Sequence, residues 1–156
     1  MKTTEIEKKI EHLLPMEIEK RSFEIIAEEL AARKIVLPPD QDPITRRVIH
    51  TSADFEYAET MRYSEGAIAR AKELICSGAD IVTDTNMALS GINKKQLAKF
   101  GGQVHCFMAD ETVAKLAAER KTTRAAVSME MAAKIDKPVI FAVGNAPTAL
   151  IQLYEM

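Results

Sequence analysis

Apolar positions along this chain change their spacing part-way, and the change separates helices from strands. Ile18, Ile25, Ile26 and Leu30 recur at roughly helical period, which predicts a helix with one buried face. Pro15 opens that helix, following an earlier one predicted over about Thr3–Leu14. Leu37-Pro38-Pro39-Asp40 reads as a loop. Ser52 or Asp54 is expected to cap a short helix through Phe55, Ala58 and Met61. Ser64 is expected to cap a longer one over Glu65–Cys76, which Gly78 closes in the left-handed conformation.

Further on, the apolar positions gather into short runs. Ile81-Val82-Thr83, Val104-His105-Cys106-Phe107-Met108 and Val139-Ile140-Phe141-Ala142-Val143 predict three buried strands. Asp84, Thr85 and Asn86 stand at the end of the first. Asn93 caps a predicted helix over Lys94–Phe100 that Gly101-Gly102 stop. Asp110 caps another through Leu116, which breaks near Lys121, and Thr122 or Thr123 caps the next, to about Ile135. Gly144-Asn145-Ala146-Pro147-Thr148 turns into a last helix over Ala149–Tyr154. Long crossovers between apolar strands call for parallel pairing with helices on both faces. The predicted class is α/β, a three-layer α/β/α domain with a mainly parallel, doubly wound sheet. The 156 residues suit one domain. Three strands leave sheet edges that a partner subunit or further sequence is expected to cover.

Charge narrows the function classes. Lys plus Arg number 21 and Asp plus Glu 23, a net charge of −2, which argues against general nucleic-acid binding. No apolar run approaches the ~20 residues of a membrane span. The segment Met1–Glu11 lacks the apolar centre of a signal peptide. Cys76 and Cys106 show no C-x-x-C spacing, so two reduced, mostly buried thiols in a cytoplasmic protein are expected. No metal site is expected, because His105 and Cys106 are neighbours pointing to opposite faces of a strand. His12, in a charged N-terminal helix, is expected in solvent. No Gly-x-Ser-x-Gly elbow supports nucleophilic catalysis.

The stretch Asp42-Pro43-Ile44-Thr45-Arg46-Arg47-Val48-Ile49-His50-Thr51 carries the candidate chemistry. As a strand it would place Arg47 and His50 on opposite faces. As a helix, with Asp42 as N-cap and Pro43 in the first turn, it sets them three residues apart on one face. The Asp-Pro start favours the helix. A guanidinium beside an imidazole suits an anionic substrate that needs a proton donor, though a solvated arginine and a core histidine fit these ten residues as well. Ser22 falls between apolar neighbours, so its hydroxyl points inward or bonds back to the helix backbone.

In open parallel sheets, ligands bind beyond the carboxyl ends of the strands. Two polar segments fall there: Asp84-Thr85-Asn86-Met87 and the Gly144–Thr148 turn. In that turn Gly144 permits close backbone approach, Asn145 can cap and Pro147 fits the first helical turn. The N–H groups of this helix end are expected to face a bound anion, or else the turn is an ordinary capped one. It is neither a dinucleotide fingerprint nor a phosphate loop. Arg124 opens a helix from which it can reach an anion.

Five segments in this order resemble the precorrin-8X methylmutase family. They are Arg21-Ser22-Phe23, Arg47-Val48-Ile49-His50, Asp84-Thr85-Asn86-Met87 with Gly91-Ile92, Thr123-Arg124-Ala125, and Gly144-Asn145-Ala146-Pro147-Thr148-Ala149-Leu150. The resemblance implies an isomerase without redox or organic cofactor. It moves a methyl group between neighbouring carbons of ring C on a corrin precursor, precorrin-8X or its cobalt form, giving hydrogenobyrinate or cobyrinate. It implies that His50 acts at the ring C nitrogen as proton donor or hydrogen-bond partner and that Ser22 and Arg47 contact substrate. Arg124, Asn145 and Thr148 are the further expected contacts for a tetrapyrrole carrying many carboxylates. A homodimer with pockets at or near the subunit interface is implied too. So is a glycine-rich continuation of some tens of residues beyond the point where this sequence stops, at Met156. A corrinoid-binding relative without turnover, and a structural α/β domain working through its sheet edge, are the rival expectations.

Overall fold

The computed structural model describes residues 14–156; the helix expected over Thr3–Leu14 and the solvated His12 lie outside the described residues. The chain divides into two compact units, Met1–Glu65 and Gly66–Met156.

The first unit is helical. Helix α1, Pro15–Ala32, opens on a proline whose missing N–H is not needed there, and the Glu17 carboxylate accepts from the Leu14 N–H at 2.9 Å. Helix α2, Asp42–Ser52, confirms the helical reading of the central stretch. Asp42 is its first residue rather than its cap, and its carboxylate accepts from Nε of Arg46 at 2.8 Å. Helix α3, Tyr57–Thr60, follows a turn in which Asp54 accepts from the Glu56 N–H. Ile26, Leu30 and Ile49 form the core of this unit, with Ile35, Leu37, Phe55 and Ala58 packed on it. Ile18 and Ile25, expected on the buried face of α1, are about half exposed.

The second unit carries the sheet. Helix α4, Ala67–Cys76, starts two residues later than expected, because Gly66 at φ +69° rather than Ser64 provides the N-cap. Gly78 does close it, at φ +87°. Strand β1, Asp80–Thr83, is followed by α5, Asn86–Gly91, a helix the apolar spacing did not reveal. It forms because the Thr85 hydroxyl accepts from the Ala88 N–H at 3.1 Å. Asn93 caps α6, Lys94–Ala98. Strand β2 is only Val104–His105, shorter than the expected run to Met108. It pairs with β1 through two residues alone, Ile81 with Val104 and Val82 with His105.

Asp110 caps α7, Glu111–Glu119, and Thr123 caps α8, Arg124–Ala132, which stops short of Ile135. Strand β3, Val139–Ala142, and helix α9, Pro147–Glu155, complete the described chain. All pairings are parallel, in the order β2-β1-β3. The chain therefore winds from β1 to one side and returns past it to the other. Parallel crossovers are right-handed as a rule, which puts connections running to the two sides on opposite faces of the sheet. This is the expected doubly wound α/β class.

The central strand is the most buried. Val82 packs with Ala125, Met129, Ala132 and Ala149, while β3, at an edge, is half-buried throughout. The cysteines depart from expectation: Cys76 is exposed and Cys106 only half-buried. Among the described residues, no helix is long and apolar enough to cross a membrane. None of their His, Cys, Asp and Glu side chains gather into a group of three able to hold a metal ion.

Candidate functional site

In the first unit, α1 and α2 bring three of the expected residues together. Helical spacing sets Arg47 and His50 on one face of α2, and α1 presents Ser22 and Phe23 to them. The Ser22 hydroxyl lies 2.8 Å from Nδ1 of His50, so the serine neither idles nor bonds back to its own helix. The His50 ring stacks on Phe23 with centroids 5.1 Å apart and planes 19° from parallel. The same phenyl ring carries the Arg47 guanidinium, whose Cζ stands 4.7 Å from its centroid. Nη2 of Arg47 reaches Oε1 of Glu19 at 2.8 Å.

His50 is half-buried and opens onto a hollow of about 170 Å³ lined with Ser22, Ile26, Ile49, Ala53 and Phe55. A larger open groove of about 650 Å³ runs along Glu19, Phe23, Ala27 and Arg46. Phe23 therefore joins the imidazole, the guanidinium and the groove. Sequence reasoning quoted it only as part of a motif. Its signal was positional: next to Ser22, it faces the same helix that carries His50.

This arrangement supports a specific chemistry. A protonated imidazole has N–H donors at both nitrogens, whereas Ser22 can satisfy only one. With Nδ1 donating to the serine oxygen, Nε2 remains to hydrogen-bond or protonate a ligand nitrogen.

In the second unit, β1 and β3 lie side by side, and their carboxyl ends flank the point where the winding direction reverses. Asp84, at the end of β1, is 1% exposed. Its carboxylate accepts from the N–H groups of Gly144, Asn145 and Ala146 at 2.9, 2.8 and 2.7 Å. The expectation that this turn faces a bound anion is corrected here: the protein supplies the anion itself. Burial pushes the Asp84 carboxyl upward, but the three backbone donors outweigh it and hold the group below its ordinary value.

A hollow of about 510 Å³ remains at the crevice, lined by Thr85, Met87, Ala88, Gly144 and Asn145. Asn145 is exposed at its rim, and Thr148 is half-buried in the first turn of α9. Arg124 is exposed at the first position of α8.

At the opposite end of β1, Asp80 is 4% exposed and meets Nε2 of His105 at 2.9 Å and the Gln103 N–H at 2.9 Å. Burial raises its carboxyl, but the bonds from His105 and Gln103, with the Lys137 charge, bring it below the ordinary range. This pair ties β2 to β1 far from the crevice.

Comparison with known proteins shows which family the chain is similar to. The profile of the precorrin-8X methylmutase family matches residues 17–156. A cobalt-precorrin-8 methylmutase of Priestia megaterium is 42% identical over 142 residues, covering 91% of this chain and 62% of the relative. One from Salmonella typhimurium is 38% identical, covering 90% of this chain and 69% of its own length. The crystal structure of a precorrin-8X methylmutase from Thermus thermophilus superposes with a TM-score of 0.78 at 36% identity. That match covers 90% of this chain and 67% of the other. The chain thus spans between about three-fifths and seven-tenths of the length of these relatives.

Proposed function

The chain belongs to the precorrin-8X methylmutase family, and from that premise we propose that it is an isomerase of cobalamin biosynthesis. It moves a methyl group between neighbouring carbons of ring C of precorrin-8X, or of the cobalt-containing form, to give hydrogenobyrinate or cobyrinate. The observation that carries this reading is the shared Phe23 ring with His50 and Arg47 against it, and Ser22 on Nδ1 of the histidine.

In this reading His50 is the acid at the ring C nitrogen. Ser22 holds the imidazole so that Nε2 faces the substrate. Protonating or hydrogen-bonding that nitrogen draws electron density from the ring while the methyl group breaks its bond to one carbon and forms one to the neighbouring carbon, and any proton lent returns to His50. General acid help of this kind is typically worth ~10² to 10⁴ in rate. Arg47 pairs with a peripheral carboxylate, and Phe23 keeps the guanidinium plane from rotating. Arg124 takes a second carboxylate, and the Asn145 and Thr148 side chains are further contacts. The turn backbone takes none, because Asp84 already holds its N–H groups. The reading includes a homodimer in the cytoplasm and no cofactor; sedimentation and cell fractionation test the first two.

Methyl migration changes the conjugation of the macrocycle, so the visible spectrum reports turnover. Incubating the chain with precorrin-8X, and separately with its cobalt form, is expected to give a time-dependent conversion to the corrin spectrum. A spectral shift that appears on mixing and then stays constant overturns the isomerase assignment and leaves a corrin binder.

A further inference from the structure

Arg47, which the reading above pairs with a substrate carboxylate, already holds one. Oε1 of Glu19, in the second turn of α1, sits 2.8 Å from Nη2. The guanidinium is thus supported twice, by different means. The Phe23 ring lies against the guanidinium, with Cζ 4.7 Å from its centroid, and uses none of its N–H donors. Glu19 occupies donor capacity that an incoming carboxylate needs. Glu19 and Phe23 both line the groove of about 650 Å³, together with Lys20, Glu24, Ala27 and Arg46. Arg46 is likewise engaged, by Asp42 at 2.8 Å. A polycarboxylate entering this groove therefore meets Arg46, whose charge Asp42 already balances, and Glu19, the carboxylate that holds Arg47.

The magnitudes decide what Glu19 does. Both side chains of its pair with Arg47 are more than half exposed, at 56% and 53%. Exposed pairs of this kind shift an equilibrium by no more than about fivefold. A ligand carboxylate can displace such a partner, and the phenyl brace stays in place when it does. Were Glu19 needed to orient Arg47, the stacking on Phe23 would be redundant.

We propose that Glu19 is a displaceable stand-in for a substrate carboxylate and so sets which anions Arg47 accepts. Singly charged anions leave the internal pair intact. A macrocycle that brings several carboxylates at once, anchored elsewhere on its periphery, exchanges one of them for Glu19. The inference rests on the corrin reading and names a specificity-determining residue within it.

The test is a titration with hydrogenobyrinate, followed by visible absorbance, of the parent chain, Glu19→Gln, Arg47→Ala and the double variant. Glu19→Gln is expected to bind about two- to fivefold more tightly. The gain should be absent in the Arg47→Ala background and absent for the fully methyl-esterified corrin. Weaker or unchanged binding by Glu19→Gln, with the parent chain binding normally, overturns the stand-in role alone. So does a gain that persists without Arg47. A parent chain that does not bind hydrogenobyrinate at all overturns the corrin reading, and the role of Glu19 falls with it.

Discussion

The Ser22 hydroxyl and Nδ1 of His50 sit 2.8 Å apart although 28 residues separate them in the chain. This hydrogen bond joins α1 to α2 at the site and fixes which imidazole nitrogen is available to a ligand. A single hydrogen bond to a charged group is worth ~1.5–3 kcal/mol, and without it the imidazole is free to turn Nε2 away from the ligand. Ser22→Ala should therefore lower kcat by about ten- to a hundredfold and leave hydrogenobyrinate affinity near that of the parent chain. His50→Ala should abolish turnover and retain product binding. Single-turnover conversion of precorrin-8X, measured beside a corrin titration, checks both. A Ser22→Ala variant with parental kcat would show that the serine does not orient the acid.

Arg47 and Phe23 form the other half of the site, and geometry separates charge from shape there. Lysine keeps the positive charge but lacks the planar fork and the broad face that lies over the Phe23 ring. Arg47→Lys is expected to lose most of what Arg47→Ala loses, about three- to tenfold in corrin affinity. If lysine restored the parental affinity, charge alone would be at work. Phe23→Leu should weaken binding and also lower kcat, because the same ring supports His50.

Which of these relationships could be read from the residues depended on how local their cause was. The α2 helix was readable because Asp42 and Pro43 act within one turn, and its spacing put Arg47 beside His50. The doubly wound order followed from three apolar runs and long crossovers. Non-local partners were less accessible. Ser22 carried the right location but no sign that its partner was an imidazole on another helix. Asp84 was placed at the end of one strand and the turn amides at the end of another, yet nothing local said that one would satisfy the other. The shortness of β2 is likewise tertiary: its apolar run continues to Met108, but the pairing with β1 ends at His105. Helix α5 was hidden because a six-residue helix is too short to show a period.

Gly102 tests the packing under β1. A methyl group there would strike the Ala79 carbonyl oxygen and press on the Leu97 side chain. Neither can retreat cheaply, since Ala79 is fully buried backbone and Leu97 belongs to the core. Gly102→Ala should cost ~1–3 kcal/mol, read as a lowered denaturant midpoint at constant slope. Gly91→Ala, where the added methyl meets open space, is the matched control and should leave the stability within ~0.5 kcal/mol of the parent.

Asp84 predicts the response of the fold to acid. Its carboxyl is held below the ordinary value in the folded chain by the Gly144, Asn145 and Ala146 N–H groups, against the opposing effect of burial. A depressed folded value means that the unfolded chain takes up the proton first as pH falls. The stabilisation is therefore fully present above the unfolded value of ~3.9 and disappears as pH drops through the folded one. Asp84→Asn keeps the shape but has one acceptor oxygen for three donors, and its amide group opposes the others. At pH 7 the variant should be ~2–3 kcal/mol less stable. The difference should narrow below about pH 4, because protonation removes the same advantage from the parent chain. Urea midpoints of both chains between pH 7 and pH 3 measure this convergence. A stability gap that stays constant across that range would show that the lost stability comes from packing around Asp84 rather than from its charge.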